Sequence, residues 1–247
     1  MPSSRTLIFP DHESLSKAVA LYFAEAAREA ITARGRFLVS ISGGETPGLL
    51  YETLGMSPYR EYLPWQFIHI FWSDERCVPP DDPDNNFGQA WQTWLKYIKI
   101  PMENLHRIQG ELEPAQAVAA YQIELGNFSD DGSEWPTLDW ILLGLGEDGH
   151  TASLFPGSTF DPLQVVVNVH KKDLGRLSER ISITPKLINQ SRQVVFLVSG
   201  SRKSDALTAS RNAYADPLRW PALQIHPEQG LLVWMVDETV IKGSSPV

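Results

Sequence analysis

Phe37-Leu38-Val39-Ser40-Ile41-Ser42-Gly43-Gly44-Glu45-Thr46-Pro47 decides how the rest of the chain is read. The run from Phe37 to Ile41 is apolar or small throughout, as in a strand covered on both faces. Two glycines and a proline then turn the chain into a helix expected over Pro47–Leu54. Upstream, Asp11 and Ser14 precede a segment with helical apolar spacing, Leu15–Arg34, and Gly35 is a natural stop. Downstream, Phe67–Trp72, Trp140–Leu145, Val165–Val169, Ile181–Thr184, Val194–Val198 and Leu232–Val236 read as further strands. Helical stretches lie between most of them, at Asn86–Tyr97, Pro114–Leu125 and Ser201–Ala213. The alternation predicts one α/β domain over residues 1–247: a doubly wound, mostly parallel open sheet with helices on both faces, Rossmann-like in outline. Such sheets bind ligands outside the carboxyl ends of their strands, so the informative residues should follow strands.

Composition removes several function classes. In 247 residues, 21 Lys+Arg against 30 Asp+Glu leave a net charge of −9, and 43% of the residues are hydrophobic. That is an ordinary globular composition without the basic stripe that nucleic acid requires. No window approaches the roughly 18 apolar residues of a membrane span, and the N-terminal stretch lacks a secretory h-region. One cysteine, Cys77, allows no internal disulfide, so a cytoplasmic location is expected. No linker or repeat divides the chain. Oligomeric state is left open and is compatible with a monomer. An anionic ligand would need a site that is a local exception to the overall charge.

Four motifs follow predicted strands. In the first, Gly43 and Gly44 allow close backbone approach to a ligand, Ser42 and Thr46 add hydroxyl donors, and the N–H groups of a helix start attract phosphate. A plain turn with Thr46 as N-cap reads equally well. Leu49 follows Gly48 where a P-loop has lysine, so ATP chemistry is not indicated. The second is Asp74-Glu75-Arg76, running into the Pro- and Asp-rich stretch Cys77–Asn86. It is either a solvated triplet or a crevice in which Arg76 clamps an oxyanion while Asp74 orients sugar hydroxyls or Arg76 itself. Cys77 beside Arg76 invites a lowered pKa, but no Cys/His/Asn pattern supports a thiol enzyme.

The third motif, Gly144-Leu145-Gly146-Glu147-Asp148-Gly149-His150, has dinucleotide-fold glycine spacing. Two carboxylates would face the pyrophosphate, and Pro156 interrupts the helix that should follow, so NAD is rejected. What remains is a loop presenting Asp148 and His150 together, as when an acid orients an imidazole for general-base work; a hydrogen-bonded loop histidine is the bland alternative. In the fourth, Arg180 immediately precedes the expected Ile181–Thr184 strand and Lys203 falls in the first turn of a helix, where a cation opposes the macrodipole unless an anion meets it. Solvent exposure of Lys203 and pairing of Arg180 with a strand-edge carboxylate are the alternatives. No nucleophile elbow, HExxH or CxxC occurs, and His12, His69, His106, His170 and His226 are too scattered to name as metal ligands.

SGGETP, FWSDERCVPPDDPDNNFG, LLGLGEDGHTASLFPG, RISITPKLIN and VVFLVSGSRKSDAL, with the segment Pro221–Val236, occur in the order and spacing of the glucosamine-6-phosphate isomerase/6-phosphogluconolactonase family. The chain resembles its 6-phosphogluconolactonases along essentially its whole length. The resemblance implies hydrolysis of 6-phospho-D-glucono-1,5-lactone to 6-phospho-D-gluconate in the pentose phosphate pathway, a small phosphosugar lactone as the partner, and neither metal nor organic cofactor. It also implies the fold shared with glucosamine-6-phosphate deaminase and ribose-5-phosphate isomerase. Carried over by position, the phosphate loop falls on Ser42, Gly43, Gly44 and Thr46, with Lys203 adding charge. The active-site arginines fall on Arg76 and Arg180, and the catalytic histidine on His150 with Asp148 nearby. Two positions depart from the family pattern: Glu45 replaces a small serine in the phosphate loop, and Ser158 stands where many members have histidine.

The chemistry fits these residues. A lactone is an activated acyl group, so a base need only deprotonate water, and Arg76 or the amides of the Gly146–Gly149 loop would hold the oxyanion. A deaminase on the same scaffold is the rival, but such enzymes resemble this chain while carrying a glutamate five positions past the histidine, where Phe155 stands here. A phosphosugar-binding protein without catalysis is the other alternative.

Overall fold

The computed structural model describes residues 4–129, 132–173 and 176–243, so both ends of the expected 1–247 span lie outside the described residues. The strands are β1 (Ser4–Phe9), β2 (Phe37–Ile41), β3 (Ile68–Trp72), β4 (Asp74–Arg76), β5 (Leu105–His106), β6 (Trp140–Leu143), β7 (Val166–Asp173), β8 (Arg176–Ile183), β9 (Gln193–Val198) and β10 (Leu231–Asp237). The helices are α1 (His12–Arg34), α2 (Gly48–Leu54), α3 (Tyr59–Tyr62), α4 (Asn86–Thr93), α5 (Pro114–Gly126), α6 (Pro185–Ile188), α7 (Ser204–Ser210) and α8 (Glu238–Lys242).

Seven strands form one parallel sheet in the order β1-β10-β9-β6-β2-β3-β5. β2 is buried at every position, as its unbroken apolar run requires of a central strand. It pairs on one side with β3 and on the other with β6, so Val39 lies beside both Ile70 and Trp140. α1 lays Leu15, Val19, Phe23, Ala27 and Ala30 against the sheet, and the Phe23 ring meets Phe37 and Trp140 edge-on at 5.3 and 5.5 Å. Its ends match the expected signals: the Asp11 side chain accepts from the Ser14 N–H, and Gly35 closes the helix at φ 75°.

Two expected strands do not join this sheet. The Val165–Val169 and Ile181–Thr184 runs belong to β7 and β8, which pair antiparallel and, with β4, make a separate three-stranded sheet. The reason is connection length: two residues separate β7 from β8, enough for a hairpin and far too few for the crossover that parallel pairing needs. Two expected helices are also shorter. The Asn86–Tyr97 helix breaks at Trp94 into α4 and a 3-10 turn over Leu95–Tyr97, and the Ser201–Ala213 helix is a 3-10 turn over Ser201–Lys203 followed by α7. No helix of the described residues is long and apolar enough to cross a membrane.

The connections fix where a ligand can enter. From β2 the parallel sheet continues to β3 on one side, whereas from β6 it continues to β9 on the other. The loops leaving β2 and β6 therefore diverge, opening a crevice at the switch point of the strand order.

Candidate active site

The neighbouring strands β9, β6, β2 and β3 all end at that crevice, a cleft of about 560 Å³, within the usual range for small-molecule sites of about 300–1,000 Å³. Ser42, Gly43, Gly44, Thr46, Asp74, Arg76, Asp148, His150, Arg180 and Lys203 all line it. So do Glu45 and Glu147, together with Asn86 and Arg202, for which the sequence suggested no role.

On the wall formed after β2, Gly44 takes φ 97°, a backbone conformation open to glycine. The N–H groups of Gly44, Glu45 and Thr46 meet no protein acceptor among the described residues. Lys203 reaches across from the turn after β9 and donates to Thr46 Oγ1 at 2.9 Å. Burial lowers the Lys203 pKa, and the carboxylates of Glu147 and Glu45 work against that. His12, at the start of α1, bonds through Nε2 to the Thr46 carbonyl at 2.9 Å. Two expectations are corrected here. Ser42 does not offer its hydroxyl to the cleft: Oγ donates to the Leu142 carbonyl at 2.8 Å and pairs with Ser73 Oγ at 2.7 Å, leaving only its backbone for a ligand. Nor is Thr46 a helix cap, since α2 begins two residues later with no side-chain cap.

On the opposite wall, after β6, His150 Nδ1 lies 2.5 Å from Asp148 Oδ1, which also accepts the His150 N–H at 3.1 Å. Burial tends to raise the Asp148 pKa, but the hydrogen bonds and charge of His150, with Lys171, outweigh it and hold the carboxyl at about 2. An ionised Asp148 can only accept, so Nδ1 carries the shared proton, and in the neutral imidazole Nε2 is the nitrogen left to act as a base. The loop is built for this: a Cβ on Gly146 would lie 2.0 Å from His150 Nδ1, and one on Gly149 would lie 2.4 Å from the Trp220 ring. Arg219 Nη1 donates to the Asp148 carbonyl at 3.0 Å, tying the loop down from outside.

The floor is made by the small antiparallel sheet. Arg76 of β4 stands opposite Arg180 of β8 in register. Arg76 Nη1 donates to Asp84 O at 2.7 Å and Asn86 Oδ1 at 2.8 Å, while the buried Nε has no partner among the described residues. The Arg180 guanidinium lies 5.5 Å from the Phe155 ring centre, and that ring lies 5.0 Å from His150. Asp74 does not orient Arg76; its carboxylate accepts from Ser153 Oγ at 2.6 Å. Glu75 is fully buried and accepts the N–H groups of Arg76, Asn86 and Phe87 at 2.9, 2.7 and 2.9 Å, pinning the rim loop; burial nevertheless pushes its pKa up to about 7. Burial and three nearby carboxylates raise the Cys77 thiol to about 11, opposite to an activated nucleophile.

By count the cleft is balanced, with Arg76, Arg180, Arg202 and Lys203 against Glu45, Asp74, Glu147 and Asp148. Within it Asp148 is engaged by His150, Glu147 by Arg202 at 3.1 Å, and Asp74 by the Ser153 hydroxyl. Among the described residues no cluster of three or more His, Cys, Asp or Glu is placed to hold a metal.

The family model described as glucosamine-6-phosphate isomerases/6-phosphogluconolactonase matches residues 10–234. The chain belongs to this family. Members similar to it include a 6-phosphogluconolactonase of Synechocystis sp., 43% identical over 224 residues that cover 88% of this chain and 89% of that one. One of Aggregatibacter actinomycetemcomitans is 40% identical over 205 residues, covering 83% and 86%. Among solved structures, the 6-phosphogluconolactonase of Thermotoga maritima superposes with a TM-score of 0.81 at 27% identity, covering 96% of this chain and all of that one. The family model is named for isomerases and lactonases alike, and in this member the Phe155 ring lies 5.0 Å from the His150 ring.

Proposed function

We propose that this chain hydrolyses 6-phospho-D-glucono-1,5-lactone to 6-phospho-D-gluconate, the activity named for its family relatives. One observation carries the reading: a histidine with its basic nitrogen set free by Asp148 and a Lys203–Thr46 anion clamp face each other across a single cleft. The phosphate lies against Lys203, Thr46 and the N–H groups of Gly44 to Thr46, which holds the lactone in register. His150 Nε2 takes a proton from water, and the hydroxide adds to C1. Arg76 stabilises the oxyanion that forms; one such donor in other enzymes contributes roughly 3–4 kcal/mol. As the tetrahedral intermediate collapses, the C1–O5 bond breaks and His150 returns its proton to the departing ring oxygen, which becomes the C5 hydroxyl. Asp148 stays ionised throughout and holds the imidazole in its working tautomer. Arg180, beside Phe155 and His150, contributes positive charge at the carbonyl end.

The decisive measurement is the loss of freshly made lactone above its spontaneous hydrolysis, run beside ammonia release from glucosamine 6-phosphate. Catalysed lactone loss without ammonia is expected. Ammonia release, or lactone loss at the uncatalysed rate, overturns the proposal.

A further inference from the structure

Asn86 was assigned nothing from the sequence, yet its side chain joins the floor of the cleft to the wall after β2. It opens α4, is 3% exposed, and has its N–H held by Glu75. Its Nδ2 donates to the Asp74 carbonyl at 2.8 Å, and its Oδ1 accepts from Arg76 Nη1 at 2.8 Å. A Cβ on Gly43 would fall 2.0 Å from that same Oδ1, so the phosphate-loop glycine is the space into which the carboxamide fits. The amide can be placed only one way round, because flipping it would set donors against the guanidinium and an acceptor against a carbonyl.

We infer that Asn86 is a positioning residue for the proposed reaction, acting through Arg76; the inference rests on the lactonase reading. Both Nη1 hydrogens of Arg76 are consumed, one by Asp84 O and one by Asn86 Oδ1, which fixes a side chain otherwise rich in rotamers. Its buried Nε is left without a protein acceptor. A buried donor without a partner is costly, and an oxyanion at the guanidinium edge would satisfy it. Choice of residue matters as well. A carboxylate in place of Asn86 would still accept from Arg76 but would cancel its charge and set a second oxygen against the Asp74 carbonyl, whereas the amide satisfies both neighbours and leaves the charge for the substrate.

The test is a double-mutant cycle on kcat and KM with Asn86→Ala and Asn86→Asp, each in the native chain and with Arg76→Ala. Each Asn86 variant alone should lower kcat about tenfold or more with KM changed less, as for an interaction realised in the transition state. With Arg76→Ala already present, either change should cost no more than about twofold, the signature of groups that act as one. Losses that multiply, or single variants within about twofold of native kcat, overturn the inference while leaving the lactonase reading intact. Asn86→Asp keeps the packed volume, so it decides the matter if the alanine variant does not fold. If neither folds, Asn86 is a packing residue and the inference fails. Absence of lactone turnover in the native protein removes the proposed function and this inference with it.

Discussion

At the scale of single residues, the cleft divides the work between two donor–acceptor contacts of different kinds. The Asp148–His150 contact determines which imidazole nitrogen is basic, so removing the ring should abolish proton transfer while the clamp persists. His150→Ala is expected to lower kcat by roughly 10² to 10⁴ with little change in KM, which steady-state kinetics on fresh lactone would read. An unchanged kcat would take His150 out of the mechanism. Lys203 is the complementary case. It is held on Thr46 although burial and its place just before α7 both disfavour a cation there. Lys203→Ala should weaken 6-phosphogluconate binding by about 10-fold or more, the scale of a lost charged hydrogen bond. Calorimetric titration with the product would show it, and unaltered affinity would separate Lys203 from the phosphate.

The elements that carry these groups differ in how openly their sequence declares them. β2 was readable end to end and α1 to its C-terminus, though it begins at His12, a turn before the expected Leu15, because an unbroken apolar run and a capped helical stripe each have one physical solution. The loop after β6 was readable as a site, but the reason for its glycines was not. Gly146 looked like part of a dinucleotide fingerprint, and only the packed imidazole shows why a Cβ is forbidden there. Gly146→Ala should therefore act as a catalytic lesion, lowering kcat more than tenfold by displacing His150, with a shift in thermal midpoint typical of a roughly 1–3 kcal/mol overpacking change. A native kcat in that variant would mean that the loop relaxes freely and that His150 placement does not depend on it. β4 was not legible at all. Asp74-Glu75-Arg76 has no strand-like pattern, and it becomes a strand because β8 supplies a partner about 100 residues away, with Glu75 turned inward to gather three N–H groups of the rim. Asn86 sits in the same motif as Arg76, ten residues on, but nothing in that spacing says that the rim loop folds back to set its carboxamide against Arg76, Asp74 and Gly43.

Over the whole molecule, the pH dependence of stability is set by buried groups remote from the cleft as well as within it. His69 and His106 share a 3.0 Å hydrogen bond between β3 and β5, and His106 Nδ1 lies 2.6 Å from Glu124. Burial, then the charges of His106 and Arg36, lower the His69 pKa to about 4 from the ordinary 6.5. The sign follows from proton counting: between these values the unfolded chain binds a proton that the folded chain refuses, so stability falls as pH drops from about 6.5 towards 4. Glu75 acts in the opposite sense, because its raised pKa of about 7 costs folded-state stability as pH rises from about 4.5 through 7. The raw stability curve therefore mixes opposed slopes, and the difference between two proteins isolates one of them. His69→Gln retains a donor for His106 but does not titrate across this window. Urea midpoints of the native chain and this variant should diverge progressively as pH falls from 7 to 4.5, with the native chain losing more over that interval. Parallel curves would show that the His69–His106 pair carries the same proton in the folded and unfolded states, and that the acid sensitivity of this fold originates elsewhere.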